Sequence, residues 1–339
     1  MKNVYNDFVS VIMPVYNGSL WVAESIKSIL AQSHRNFEFI IIDDGSADSS
    51  DKIISSFVDD RIRFIKQENI GLPRTLNLAL TLCSGEFIFR QDQDDISHPK
   101  RLELQLSVLK EHPSIDLCGC WAYVFNGARS SGFRLHRQPM SSGAIATTCL
   151  VANPFFHSGI AIRSAQLIDA VGYSTDLSRS PPEDYELWSR ILRVGKGFNI
   201  PTVLLYYREV PSGISRQSRE AITRNQIILA AENIYHWAIQ SRQSATLEVA
   251  AALSRILLDP VQVCDVKYEV LTLKRLLIAA FIGIRKKTER CEESKLIERR
   301  LLRLLHRNYE LICSRNLLSR VSTKIKWRII NIPEGRFYV

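Results

Sequence analysis

No stretch of this 339-residue chain stays apolar for long enough to cross a bilayer. The longest candidate, Leu276 to Ile284, is bracketed by Lys274-Arg275 and by Arg285-Lys286-Lys287. It falls far short of the roughly 20 residues that a spanning helix needs. Met1 to Asp7 hold none of the apolar core of a secretory leader, so the expectation is a cytoplasmic protein. No CxxC pair occurs among the seven cysteines, which are odd in number and scattered. That pattern points to buried thiols, not to a disulfide framework or a redox or metal site. No GxGxxG follows the first apolar run, which argues against a dinucleotide-dependent dehydrogenase. Pro14 to Gly18 also lacks any Lys or Arg, the basic element expected of a nucleotidyltransferase in that loop. Repeats and low-complexity tracts are absent.

What is present is ordinary globular material, 46% apolar and 9% aromatic. It suffices for one large α/β domain with an extension, or for two domains. The net charge of +9 is uneven. From Arg216 onward the chain carries 23 Lys and Arg against 12 Asp and Glu, and the preceding residues hold the remaining 21 and 23. A near-neutral first part, 1–215, and a basic second part, 216–339, call for separate explanations. No recognised module accompanies the basic charge, so nucleic acid is not an expected partner.

The first part alternates strand-like and helix-like patterns. Phe8–Met13, Phe37–Ile42, Ile62–Ile65 and Glu86–Phe89 read as buried strands, with amphipathic helices at Trp21–Gln32, Asp48–Phe57 and Leu72–Cys83 between them. Such βαβ order predicts an α/β fold with a mostly parallel, doubly wound sheet. A helix is expected from Pro99 to about Glu111, a strand over Ile115–Phe125, and a return to the sheet between Ile145 and Ile162. Pro181-Pro182 then leads into a helix from Glu183, and Val203–Tyr207 reads as the last strand. After about residue 215 the pattern is helical to about 330.

Ligands of such sheets bind beyond the carboxyl ends of the strands, and two acidic segments fall there. Asp92-Gln93-Asp94-Asp95 follows a buried strand, and two carboxylates one residue apart suit a shared Mg²⁺ or Mn²⁺ that bridges to phosphate. An acidic turn capping the next helix is the plainer alternative. Asp43-Asp44-Gly45-Ser46 is placed to accept a hydrogen bond from a nucleobase, or to make an ordinary Asp/Gly turn. Glu183-Asp184 opens a helix, where acidic residues serve either as capping charges or as a general base. His157 lies in an apolar passage and is a candidate pocket residue beside Glu183.

Together these segments resemble the family 2 glycosyltransferases of the GT-A fold, over residues 8 to about 215. Val9 to Asn17 looks like that family's first strand and nucleotide-contacting loop, and Ile42 to Asp48 like its second strand end. Gly71 to Ala79 with Gly85 to Ile88 is similar to its segment before the metal motif. Arg90 to Arg101 resembles its DxD segment, and Glu183 to Trp188 its ED motif. Where many relatives carry Arg-Asn, this chain has Leu76-Asn77, with Arg74 a turn away as the expected positive charge. The nearest likeness is to the bacterial branch that builds capsule, lipopolysaccharide and exopolysaccharide.

The resemblance implies an inverting hexosyl- or N-acetylhexosaminyltransferase. It would take a nucleotide-sugar, by default a UDP-sugar, and extend a glycan or lipid-linked acceptor. Pro14, Tyr16, Asp43, Asp44, Arg74 and Asp92 would meet the donor, Asp94 and Asp92 the metal, and Asp184 would be the base. A nucleotidyltransferase is the runner-up among enzymes, and a catalytically silent nucleotide-sugar-binding module is the alternative of a different class.

In the basic tail, Ile297, Leu301, Leu304 and Leu305 form one apolar stripe, with Arg299, Arg300, Arg303 and Arg307 on other faces. Two readings stand side by side: packing on the catalytic domain, or docking on an anionic membrane at the inner face of the cell.

Overall fold

The computed structural model describes residues 7–127, 132–210, 219–242, 245–260, 263, 268, 270–289 and 291–321, with side chains described to residue 313. Strand β1 (Val9–Val15) is buried along its whole length. An apolar run without alternation is what a strand covered on both faces requires. It lies between β2 (Phe37–Asp44) and β4 (Phe87–Arg90), parallel to both, and β3 (Ile62–Gln67) pairs with β2. The sheet continues through β8 (Ala161–Arg163), β6 (Leu117–Asn126), β9 (Gly197–Glu209) and β5 (Ile96–Ser97), with β7 (Arg134–His136) against β6. Six of the nine strands share one direction, since β8, β5 and β7 pair antiparallel with their neighbours. The first half is thus the expected parallel sheet, and the second half is mixed.

Side-chain alternation divides the core. Val9, Val11, Met13 and Val15 of β1 meet α1 (Val22–Leu30), α2 (Ser50–Ser55) and α4 (Arg101–Glu111) on one face. Ile12, Ile40 and Ile42 face α3 (Leu72–Leu82) and α7 (Glu183–Val194) on the other. Each register step of one residue swaps faces, so this division settles which loops reach the same rim.

One expectation is corrected. The stretch 145–162 does not return directly to the sheet. It forms α5 (Ser142–Thr148), then a 3₁₀ turn at His157–Gly159, and only Ala161–Arg163 is a strand. Ser141 caps α5 through Ala144 N, and Ala144, Ala146, Leu150 and Val151 are buried against the C-terminal helices. A short apolar run does not reveal its period when its partner is still unknown. The helix α6 (Ser164–Asp169) follows β8.

The C-terminal helices are α8 (Arg219–Gln240), α9 (Leu247–Leu258), α10 (Val270–Lys287) and α11 (Glu292–Val321). They enclose a core that includes Trp237, Leu253, Leu277 and Phe281. Ile297, Leu301 and Leu305 of α11 lie in that core, and Leu304 packs against it. Of the two readings of the apolar stripe, packing therefore accounts for it. Arg299, Arg300, Arg303 and Arg307 remain exposed. Among the described residues no helix is long and apolar enough to cross a membrane. The expected boundary at 215/216 and the chain beyond 321 lie outside the described residues.

Candidate active site

Loops after β1, β2 and β4 build one side of the site. Asn17 adopts φ 50°, a left-handed conformation that asparagine tolerates better than most residues. Its amide donates to Ser46 Oγ at 2.9 Å, and its Oδ1 accepts from Ala47 N at 2.8 Å. Gln93 grips the same loop from the opposite side, accepting from Tyr16 N at 2.8 Å and donating to Tyr16 O at 3.1 Å. Gly18 leaves room for that grip, because a Cβ there would lie 2.5 Å from Gln93 Oε1. Pro14 is buried inside β1, and the Tyr16 ring is 51% exposed at the rim.

The two aspartates that end β2 have different duties. Asp43 accepts from Ser46 N at 3.0 Å and braces the turn. Asp44 accepts from Gln67 Nε2 at 2.7 Å, Ile70 N at 2.9 Å and Gly71 N at 3.0 Å. Both of its oxygens are thereby engaged in holding the loop from β3 to α3. Arg74 is exposed in the first turn of α3. Asn77 exchanges hydrogen bonds with the backbone of Tyr173, both at 2.8 Å.

The acidic loop 92–95 is pinned at both ends, since β4 stops at Arg90 and β5 starts at Ile96. Arg90 is 1% exposed and donates from Nη2 to Asp92 Oδ1 at 2.5 Å and from Nη1 to Gln91 O. Asp92 N donates to Ser158 Oγ at 2.9 Å. On the far side Arg208 of β9 donates from its backbone N to Asp95 Oδ1 and from Nε to Asp94 O, both at 2.8 Å. Its guanidinium pairs with Glu24 at 2.6 Å and lies between the rings of Trp21 and Phe125, 4.1 and 4.6 Å from their centroids.

Burial, and then the charge of Asp92, push the Asp94 carboxyl up to about 7, against the pull of Arg90 and Arg208. Two mutually repelling carboxylates form a donor set that a hard divalent cation would relieve. Among the described residues no group of three or more His, Cys, Asp or Glu could hold a metal unaided. One or two carboxylates completed by diphosphate oxygens and water is a common way to bind Mg²⁺, so the residues present fit such a site.

The other side comes from the start of α7. Asp184 Oδ2 accepts from Asn153 Nδ2 at 2.6 Å, and Oδ1 accepts from Tyr185 N at 2.7 Å. Burial lifts its carboxyl to about 6; the two hydrogen bonds oppose this, and the charge of Asp92 adds to it. Burial and then Asp184 lift Glu183 to about 7, with Arg90 pulling down. His157 Nδ1 stands 3.7 Å from Glu183 Oε1, and its Nε2 is 2.9 Å from the Tyr173 hydroxyl. Burial and the charge of Arg90 hold His157 well below the usual histidine range, so the ring is neutral. The charge of Asp92 is felt by both Glu183 and Asp184. Asp92, Asp94, Glu183, Asp184 and His157 therefore lie within electrostatic reach of one another, and Arg74 has no bond to any of them among the described residues.

Sequence reasoning passed over Arg90, Arg208, Asn153, Ser158 and Tyr173 as site residues. Only Arg90 carried a signal, being a charged residue that closes an otherwise apolar strand. The others are recruited from segments whose neighbours the order of residues does not disclose.

The profile of Glycosyl transferase family 2 matches residues 10–172. EpsE of Bacillus subtilis is 34% identical over 65% of this chain and 80% of its own length. The amylovoran biosynthesis glycosyltransferase AmsE of Erwinia amylovora is 30% identical over 59% of this chain and 75% of its own. The chain belongs to glycosyltransferase family 2, and it is a glycosyltransferase. Among solved structures, Staphylococcus aureus TarS 1–349 in complex with UDP-GlcNAc is similar at a TM-score of 0.58 and 17% identity, over 95% of this chain and 94% of that one. The mannosyltransferase PcManGT of Pyrobaculum calidifontis, in complex with GDP-Man and Mn²⁺, reaches 0.50 at 16% identity, over 92% and 87%. Those two likenesses concern the fold, a GT-A α/β domain with a helical extension. Family membership speaks against the nucleotidyltransferase alternative.

Proposed function

We propose that the protein transfers a sugar from a nucleotide-sugar to a hydroxyl of a growing glycan or lipid-linked acceptor, with inversion at the anomeric carbon. The observation that carries this reading is the approach of two acidic pairs, Asp92 with Asp94 after β4 and Glu183 with Asp184 at the start of α7, joined through Ser158 and His157. A UDP-sugar is the default donor, and TarS with UDP-GlcNAc makes an N-acetylhexosamine the first sugar to test. AmsE, named for amylovoran biosynthesis, supports an acceptor in surface-glycan assembly.

In this reading the loop at Tyr16 and the Asp43 turn hold the nucleoside. Asp94, with Asp92, holds Mn²⁺ or Mg²⁺, which when bound would offset the charge of the leaving diphosphate. Asp184 accepts the proton of the acceptor hydroxyl. Asn153 and the amide of Tyr185 keep its oxygens oriented. Glu183 and neutral His157 line the acceptor side. The exposed arginines of α11 would place the enzyme at an anionic inner-membrane surface by charge alone.

Asp184→Asn is the test. The asparagine keeps shape and loses the base, so transfer should fall by at least about 100-fold with UDP binding retained. Near-normal turnover would remove Asp184 from the base role. Mn²⁺-dependent hydrolysis of nucleotide-sugars by the native chain would dispose of the silent-module alternative.

A further inference from the structure

One buried cation stands between the two acidic halves. Arg90 touches the donor side through its 2.5 Å bond to Asp92. Its charge also acts on the acceptor side, on Glu183, His157 and Tyr173. The two sides are joined by contacts as well: Asp92 N is bonded to Ser158 Oγ at 2.9 Å, and the adjoining His157 reaches Glu183 at 3.7 Å and Tyr173 at 2.9 Å. The other buried arginines beside the acidic loop are committed elsewhere: Arg208 to Glu24 and to the backbone oxygens of Asp94 and Gly127, and Arg101 to the backbone oxygens of Arg90 and Ser158 and to Gln91 Oε1.

The groups facing the Glu183–Asp184 pair are Arg90 and Asp92 from the end of β4, Asn153 and His157 from the loop before β8, Tyr173 after α6, and Tyr207 from β9. Arg90 is the cation in that set. Its Nε is buried without a hydrogen-bond partner among the described residues. Leaving a buried donor unsatisfied is costly, so hydrogen-bond satisfaction alone does not explain an arginine here. One oriented bond to Asp92 and a shared positive charge do.

We propose that Arg90 is a positioning residue that couples the two halves of the site, fixing the Asp92 carboxylate toward the donor while its charge offsets that of Glu183, the neighbour of the base. This rests on the reading of Asp92 as donor-side and Asp184 as base. Lysine at this position keeps the charge but loses the oriented fork, whereas glutamine loses both.

The test compares Arg90→Lys and Arg90→Gln in the full chain, after thermal melting has shown each to be folded. Arg90→Lys should raise the donor KM about tenfold with little change in kcat and leave the acid limb of the pH–rate profile in place. Arg90→Gln should raise KM as well and move that limb upward by about one pH unit. Calorimetric titration with UDP and Mn²⁺, independent of turnover, should show about tenfold weaker binding in both. Native KM, UDP affinity and pH limb in both variants would overturn the coupling, as would a loss of kcat alone with an unmoved profile. If the glutamine variant does not fold, unchanged KM and UDP affinity in Arg90→Lys suffice to overturn it. Activity retained in Asp184→Asn would instead overturn the underlying reading, so the two failures are distinguishable.

Discussion

Neighbouring residues of one chemical type do different work in this site, and the difference lies in which oxygens are already engaged. Asp43 takes one backbone donor, whereas Asp44 takes three donors on two oxygens. Asp44→Ala should therefore cost about 1 kcal/mol of stability by releasing three half-buried donors, more than Asp43→Ala costs, which paired denaturant titrations would measure. A second expectation concerns pH. The Asp184 carboxyl is lifted to about 6 by burial, and by Asp92 against its own hydrogen bonds. A base must be ionised to accept a proton, so the transfer rate should fall as pH drops through about 6 and level off above it. A rate indifferent to pH between 5 and 7 would contradict the raised carboxyl.

At the scale of elements, the acidic loop owes its shape to strands on both sides of it. β5 is only two residues long, but its pairing with β9 brings Arg208 beneath Asp94 and Asp95. The helical extension is fastened with comparable closeness. Asn233 of α8 donates to Cys149 O at 2.8 Å and to Ser189 Oγ at 2.9 Å. Gly283 of α10 lies against the α8 backbone, and a Cβ there would sit 1.8 Å from Trp237 O. No flexible side chain can yield at that crossing. Gly283→Ala should push α10 away from α8 and destabilise the fold by about 1–3 kcal/mol, visible as a lower melting temperature. A melting temperature equal to that of the native chain would mean that the helices cross less closely than described.

At the scale of the whole molecule, α11 has two faces with separate uses. Ile297, Leu301 and Leu305 belong to the shared core, so deleting residues 294–339 would damage the fold before it tested any membrane contact. Charge reversal of Arg299, Arg300, Arg303 and Arg307 is the cleaner experiment, because all four are exposed. Loss of flotation with anionic vesicles, and its weakening by salt in the native chain, is the expected outcome. Equal flotation of native and reversed chains would leave the basic face without a membrane role.

Much of this organisation was legible from residue order alone. The βαβ alternation, the placement of Asp92–Asp95 and Asp43-Asp44 at strand ends, and the acidic start of α7 all follow from local patterning, because hydrophobic period and turn chemistry act over a few residues. Tertiary structure decided what local patterning cannot carry. Residues 142–148 became a helix because the C-terminal bundle offered Ala144 and Ala146 a partner. The second half of the sheet turned mixed because β8, β5 and β7 run against their neighbours. The apolar stripe of α11 faced inward because a bundle core was available to bury it. Arg90 came to lie between the two acidic pairs because the sheet sets Asp92, His157 and α7 around one rim, and burial there makes a single charge act on all of them.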